Sequence, residues 1–350
     1  MNFGSEIIRW YHINKRDLPW RHTKDPYAIW LSEIILQQTR IEQGLAYYYR
    51  FIKKYPDVKK LAAAKEDDVL KLWQGLGYYS RARNLHHTAK EIVKNYKGKF
   101  PEDEKQVLSL KGIGDYTAGA ILSFAFNKKF PVVDGNVFRL LSRYFGIDTP
   151  IGSSNGKKEF FRLAATLMEN HSPSDFNQGI MEFGSRQCKP QQPDCLSCPL
   201  NVNCVAFAQK KVCILPVKGK KTAVRNRYFN YLVIHHDKKL LLNRRNGKDI
   251  WKNLYDFPLI ETSKKASEKK IISHKEWKKI FGNANVIITS VSNEQKHLLS
   301  HQTIHAKFYS VKLAAGKKFK LKNDFLSVAK EDLKKYAVPK LIENYLSANY

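Results

Sequence analysis

Four cysteines, Cys188, Cys195, Cys198 and Cys204, follow the spacing C-x6-C-x2-C-x5-C in a stretch that also holds Pro190, Pro193 and Pro199. Thiolates so close along a loop can wrap one compact metal centre. A zinc site more often uses two C-x2-C pairs or mixes in histidine, whereas one pair flanked by two lone cysteines suits an iron–sulfur cubane. On spacing alone the cubane, a zinc ion and unliganded thiols all stay open. Such a centre, closed by four cysteines, would be structural. Cys213 lies outside the pattern and reads as a small buried side chain. Five cysteines, four of them clustered, do not make a secreted disulfide scaffold and point to a reducing compartment.

Two carboxylates stand in contrasting settings. Glu33 lies in an apolar helical run, with Trp30 one turn before it and Leu36 one turn after. Burial there disfavours the ionised form and tunes the group as a general acid, although a helical Glu is more commonly a surface residue. Asp134 follows two valines and precedes another helical run, the place of an N-cap, which would keep it ionised. One protonated and one anionic carboxyl is what glycosidic cleavage through an oxocarbenium-like state requires. Between them in sequence, Leu110-Lys111-Gly112-Ile113-Gly114-Asp115-Tyr116-Thr117-Ala118 sets two glycines directly before an apolar helix. Gly112 and Gly114 can open backbone amides toward a DNA phosphate, or simply make a turn between helices.

The elements that must carry these groups change character along the chain. Residues 1–217 read as an all-α domain, with helical spacing over 26–38, 67–72, 116–125 and 137–145. A polar, basic stretch at 218–227 reads as a linker, and residues 228–350 read as an α+β domain. There, 228–234, 240–243, 286–290 and 306–311 favour strand and 276–281 favours helix. The 350 residues hold 61 Lys and Arg against 32 Asp and Glu, a formal charge of +29, so an anionic partner, nucleic acid first, is expected. Residues 218–350 carry 29 of those cations and only 11 of the anions, with lysine clusters at 264–279 and 317–335 that read as solvated faces. No apolar run approaches the ~18 residues of a membrane span, and the charged first twenty residues are unlike a signal peptide, so a cytoplasmic protein is expected.

The glycine turn and the cysteine spacing together resemble the helix-hairpin-helix DNA glycosylases that carry an iron–sulfur cluster. The likeness narrows to the MutY-type adenine glycosylases through Leu18-Pro19-Trp20-Arg21, Trp30-Leu31-Ser32-Glu33, Leu36-Gln37-Gln38-Thr39, Gly75-Leu76-Gly77-Tyr78-Tyr79 and Val133-Asp134-Gly135-Asn136-Val137. The resemblance implies a [4Fe–4S] cluster on the four cysteines and monofunctional removal of adenine mispaired with 8-oxoguanine or guanine in double-stranded DNA. It implies that Glu33 protonates N7 of a flipped adenine and that Asp134 stabilises or traps the sugar cation. It places Tyr116 and Asn136 on the sugar side, Arg21, Trp30 and Gln178 at the adenine, and Gln38 and Tyr78 in the duplex. A monomer bound to nucleoid DNA is expected. A lyase similar to endonuclease III would need a lysine in the hairpin region, where the matching Tyr116 forms no imine. Lys111 sits where the lyase motif does not use it. A non-catalytic DNA-binding protein would have no use for Glu33 and Asp134 together.

In the second domain, Trp251-Lys252-Asn253-Leu254-Tyr255-Asp256-Phe257-Pro258 resembles the segment of Nudix-like domains joined to adenine glycosylases. A pyrophosphate-hydrolysing Nudix enzyme follows it with a carboxylate-dense helix that holds magnesium. Residues 259–281 offer only Glu261, Glu268 and Glu276, well apart, which argues against that activity. The resemblance instead implies inspection of the base opposite adenine by the triplet Leu299-Ser300-His301, where relatives have Phe-Ser-His. His297, His301 and His305 recur every four residues, but their neighbours favour strand, on which the three would not share one ion.

Overall fold

The computed structural model describes residues 2–350 other than 220–222, 237–238, 248, 283 and 314–324, so parts of the expected linker and of the second lysine cluster lie outside the described residues. The chain divides into two compact units, Met1–Ala63 with Asn84–Lys220, and Ala64–Arg83 with Lys221–Tyr350. A stretch of twenty residues inside the expected 1–217 domain therefore packs with the later part of the chain.

Through residue 208 every regular element is helical: α1 (Phe3–Asn14), α2 (Pro26–Leu36), α3 (Ile41–Lys54), α4 (Val58–Ala63), α5 (Glu66–Trp73), α6 (Ser80–Tyr96), α7 (Glu104–Ser109), α8 (Asp115–Phe124), α9 (Gly135–Phe145), α10 (Ser154–Met168), α11 (Pro173–Arg186) and α12 (Val205–Ala208). Asp25 caps α2 by accepting from the Tyr27 amide, and Pro26 fits its first turn, where no amide hydrogen is needed. Because 27–35 are all buried, α2 is enclosed on every side, as an apolar helix of the domain centre must be. It packs on α8. A Cβ at Gly119 of α8 would sit 2.9 Å from the Pro131 carbonyl oxygen, so only glycine permits that approach. A second core joins α1, α9, α10 and α11 through Phe3, Ile7, Leu141, Phe160, Phe176 and Phe183, with Cys188, Cys198 and Cys204 packed at its edge.

The second unit is built on an eight-stranded mixed sheet: β1 (Arg225–His236), β2 (Lys239–Arg244), β3 (Tyr255–Asp256), β4 (Leu259–Thr262), β5 (Val286–Val291), β6 (Gln295–Leu298), β7 (Gln302–Leu313) and β8 (Phe325–Ala329). Strand β1 begins at Arg225, inside the stretch expected as linker. It runs parallel to β7 and antiparallel to β4, and its centre is buried on both faces, which is why 231–234 read as a continuous apolar run. On one face Leu232 and Ile234 pack with Trp277 and Phe281 of α14 (Lys275–Phe281) and Ile271 of α13 (Glu268–Ile272). On the other, Tyr231 stacks on Phe308, and Phe308 stacks at 4.0 Å on Tyr345 of α15 (Lys340–Asn349). Side chains from 64–83 bond into this unit: Arg244 and Tyr255 both donate to Asp67, Gln74 donates to Glu343 and Tyr79 to the Val338 carbonyl. Among the described residues, no helix is long and apolar enough to cross a membrane.

Inside this unit Asp256 is fully buried and accepts from Arg245 Nη1 at 2.6 Å. Removing one partner of a buried ion pair strands the other, a cost of about 3 kcal/mol, so Asp256→Ala should destabilise the second unit by that order in chemical denaturation. A loss below about 0.5 kcal/mol would show that Asp249, which also pairs with Arg245, carries the charge alone.

Candidate active site

A cavity of about 830 Å³ opens in the first unit among α1, α2, α8, α9, α11 and the 3-10 turn Pro19–Arg21. Helix α2 delivers Glu33 to its wall, buried at 6% exposure. The Tyr116 hydroxyl, from the first turn of α8, donates to Glu33 Oε2 at 2.7 Å. Burial pushes the Glu33 carboxyl up to about 7, the nearby Asp134 charge adds to the rise, and the Tyr116 hydrogen bond and Arg21 oppose it. A half-protonated carboxyl near neutral pH is what a general acid needs.

Asp134 caps α9. Its Oδ1 accepts from the amides of Asn136 at 2.9 Å and Val137 at 2.8 Å, and its Oδ2 from Asn136 Nδ2 at 2.7 Å. Capping favours the ionised form of Asp134, and burial opposes it. Burial raises the Asp134 pKa above its usual value, against the pull of those hydrogen bonds and of Arg139. Every bond it makes is nevertheless one that a carboxylate accepts. The same side chain thus caps a helix and lines the cavity.

On the far wall, Arg21 donates to Glu182 Oε2 at 2.8 Å and to the Arg16 carbonyl at 2.9 Å, while Arg16 meets both Glu182 oxygens. Burial works to raise Glu182, but the two arginines hold it down at about 2. Gln178 and Gln38 also line the cavity, Gln38 exposed at the rim with a left-handed φ of 57°. Non-glycine residues held there store strain, a frequent mark of functional sites. Trp30 does not reach the cavity. It is closed in the core at 1% exposure, edge-on to Tyr27 and Phe100. The tryptophan on the wall is Trp20, adjacent to Arg21, which the sequence reading passed over although it stands in the same Leu18-Pro19-Trp20-Arg21 motif. Tyr11 and Glu182 also line the wall and were not singled out; nothing in their local sequence sets them apart.

The turn between α7 and α8 has Gly112 at φ 83°, where an added Cβ would strike Asn84 at 2.8 Å, and Gly114 as the α8 N-cap with open space above it. The predicted residues Tyr78, Leu299, Ser300 and His301 sit in the second unit. Tyr78 is half exposed, with a left-handed φ of 46°, and its hydroxyl lies 2.5 Å from Ser300 Oγ. Ser300 and His301 form the tip of the β6–β7 hairpin, closed by the Leu299 amide donating to the Gln302 carbonyl. Leu299 is partly covered; the apolar side chain left open is Leu298, at 75% exposure. His297 lies on β6, His301 in the loop and His305 on β7, where it is held by Glu294 and stacked on Tyr228.

Cys188, Cys195, Cys198 and Cys204 together line a small cavity of about 30 Å³ walled by Leu140, Tyr144 and Phe183. Burial pushes the Cys198 thiol up to about 11 and raises Cys195 and Cys204 as well, a cost that ligation to a cation removes. Arg143 Nη1 donates to Cys188 Sγ at 3.4 Å, a positive partner for thiolate charge. Four soft donors around one apolar hole fit a group held by four cysteines. The fit is one of donor chemistry: among the described residues, no three His, Cys, Asp or Glu side chains stand in a group that could hold a metal ion. Cys213 is exposed rather than buried, because it follows the last packed helix of the segment.

A helical unit with a hairpin turn, a buried acid and a capped carboxylate on one cavity defines a base-excision glycosylase of the helix-hairpin-helix class. Residues 31–166 match the HhH-GPD superfamily of base excision DNA repair proteins, and 230–348 match the NUDIX domain. The adenine DNA glycosylase of Buchnera aphidicola from Acyrthosiphon pisum is 39% identical over 77% of this chain and 78% of its own length. That of Schizosaccharomyces pombe is 27% identical over 99% of this chain and 89% of its own. A solved thermostable thymine-DNA glycosylase is 33% identical, with TM-score 0.56, covering 59% of this chain and 95% of that one. The chain belongs to the adenine DNA glycosylase family.

The raised Glu33 pKa fixes the sign of a stability effect. A carboxyl at about 7 in the folded state and 4.5 unfolded stabilises fully below 4.5 and loses that contribution as pH rises through 7. Glu33→Gln should therefore melt higher than the wild type at pH 8, by up to about 3 kcal/mol, and the gain should vanish near pH 4. Equal melting curves at pH 8 would mean that Glu33 ionises there without penalty.

Proposed function

We propose that this chain is a monofunctional DNA glycosylase that hydrolyses the N-glycosidic bond of adenine mispaired with 8-oxoguanine or guanine in double-stranded DNA. The observation that carries the reading is the buried Glu33 carboxyl, raised to about 7 and bonded by Tyr116, on the same cavity as the hydrogen-bonded Asp134. Tyr116 occupies one oxygen of Glu33, leaving the other to deliver a proton to N7 of a flipped adenine. As the bond breaks, positive charge grows on the sugar, and Asp134 answers it from a water-poor wall, where such charge stabilisation is worth several kcal/mol. Glu33, now ionised, takes the proton of the incoming water. With tyrosine and no lysine at position 116, no imine forms and no strand is nicked. Asn136 steadies Asp134, and Arg21, Gln178 and Trp20 hold the base.

Cys188, Cys195, Cys198 and Cys204 would hold a [4Fe–4S] cluster, which supplies a rigid cross-link to the segment that follows α11 and no part of the hydrolysis. Gly112 and Gly114 would take a DNA phosphate, Gln38 and Tyr78 would fill the space of the extruded base, and Leu299, Ser300 and His301 would read the base opposite. The enzyme would act as a monomer on nucleoid DNA in the cytoplasm.

The test is single-turnover cleavage of duplexes with adenine opposite 8-oxoguanine, guanine or thymine, with and without alkali. Adenine release with nicks only after alkali is expected for the first two, and the rate should fall as pH rises above about 7. Asp134→Asn keeps the cap yet should slow cleavage by at least a hundredfold, since each ~1.4 kcal/mol of lost charge stabilisation is tenfold. Near-normal cleavage by that variant removes Asp134 from the mechanism. Nicking without alkali by the wild type refutes the monofunctional reading. Purified protein should be brown, with about four irons per chain; colourless protein with one zinc would refute the cluster.

A further inference from the structure

Tyr11 lies on α1, more than 160 residues from Gln178 in sequence, and its hydroxyl donates to Gln178 Oε1 at 2.9 Å. The ring is buried at 3% exposure. A buried phenol must place its proton on an acceptor, and the amide oxygen of Gln178 is that acceptor. This contact fixes which end of the amide points where. With the oxygen turned to Tyr11, the NH2 end is turned away, and one of its two hydrogens goes to Ser174 Oγ at 3.0 Å. The second meets no acceptor among the described residues, and Gln178 lines the cavity. The Tyr11 ring also carries the Arg21 guanidinium 5.5 Å from its centre, so one buried side chain touches both groups assigned to the base.

We propose that Tyr11 is a specificity-determining positioning residue: by holding the Gln178 oxygen it makes Gln178 a hydrogen-bond donor to the flipped base. The inference rests on the adenine-releasing function proposed above and goes beyond it, because it names how adenine is told from other purines. At position 1 adenine offers an acceptor nitrogen and guanine an N–H, whereas N3 accepts in both bases, so the selective donor is one that faces position 1. A fixed donor there pairs with adenine and confronts guanine, and a site built on such a bond rejects a base that leaves it unpaired. An amide free to rotate would accept as readily as it donates, and the selectivity would fade.

The experiment compares wild type, Tyr11→Phe and Gln178→Glu on duplexes holding adenine, 1-deazaadenine or 3-deazaadenine opposite 8-oxoguanine, with single-turnover rates and a melting curve for each protein. Phenylalanine keeps the ring under Arg21 and removes only the hydroxyl; glutamate removes the N–H donor without touching Tyr11. With 3-deazaadenine as the control that keeps N1, wild type should cleave 1-deazaadenine roughly tenfold more slowly than adenine, in keeping with one lost hydrogen bond. Tyr11→Phe should slow adenine by roughly five- to tenfold and leave that analogue unchanged, so that the ratio falls toward one. Gln178→Glu should collapse the same ratio. Equal slowing of all three substrates by Tyr11→Phe, an undiminished ratio, or a wild type not slowed by 1-deazaadenine overturns the proposal. A wild type that releases no adenine from any duplex overturns the proposed function itself.

Discussion

The site depends on the burial of one carboxyl group inside an otherwise apolar helix. Helix α2 is enclosed on all sides, so Glu33 cannot reach bulk water except through the cavity it lines. Folding therefore accepts a desolvated acid, and the unfavourable term is what raises its pKa to about 7. The rest of the first unit keeps that burial tolerable: Tyr116 donates to Glu33, the α2–α8 contact fixes the donor's position, and glycine at 119 lets the 130–132 segment pass close to the other side of α8.

Two carboxylates on one cavity differ because their supports differ. Glu33 receives one hydrogen bond from a side chain, whereas Asp134 receives three from the first turn of α9 and its own neighbour Asn136. Helix α9 ties this end of the cavity to the cysteine segment. Arg139 joins Asn136 Oδ1 to the Cys188 carbonyl, and Arg143 one turn on reaches Cys188 Sγ and the carbonyls of Lys189 and Pro190. The cysteine loop and the capped carboxylate are thus opposite ends of one hydrogen-bonded assembly.

The second unit matches the NUDIX domain and carries lysines on its flanking helices. The sheet and its flanking helices are in place, but α13 and α14 present Lys269, Lys270, Lys275, Lys278 and Lys279 to solvent where a pyrophosphatase would need carboxylates. A surface of that sign repels a magnesium ion and attracts phosphodiesters, in keeping with the +29 charge of the chain.

The local rules of the sequence determined a good deal. The helical spans around Glu33 and Tyr116 and before and after Asp134, the strands β1, β2, β5 and β7, the cap at Asp134 and the four-cysteine spacing are readable because each follows from short-range periodicity, capping chemistry or ligand spacing, whereas the short strands β3, β4, β6 and β8 are not. Trp30 and Trp20 were not separable in the same way. Both are apolar aromatics in marked motifs, and which one faces the cavity follows from how α2 rotates against its neighbours, a matter of packing between distant segments. Tyr11, Gln178 and Glu182 meet only through the contact of α1 and the first turns with α11, more than 160 residues away. The grouping of Ala64–Arg83 with the sheet rests on bonds such as Asp67 to Arg244 and Tyr255. Sequence spacing carries information over about a turn of helix or a pair of strands, whereas burial, pKa and the orientation of an amide are set by whichever remote groups the folded chain brings alongside, and those only the tertiary structure decided.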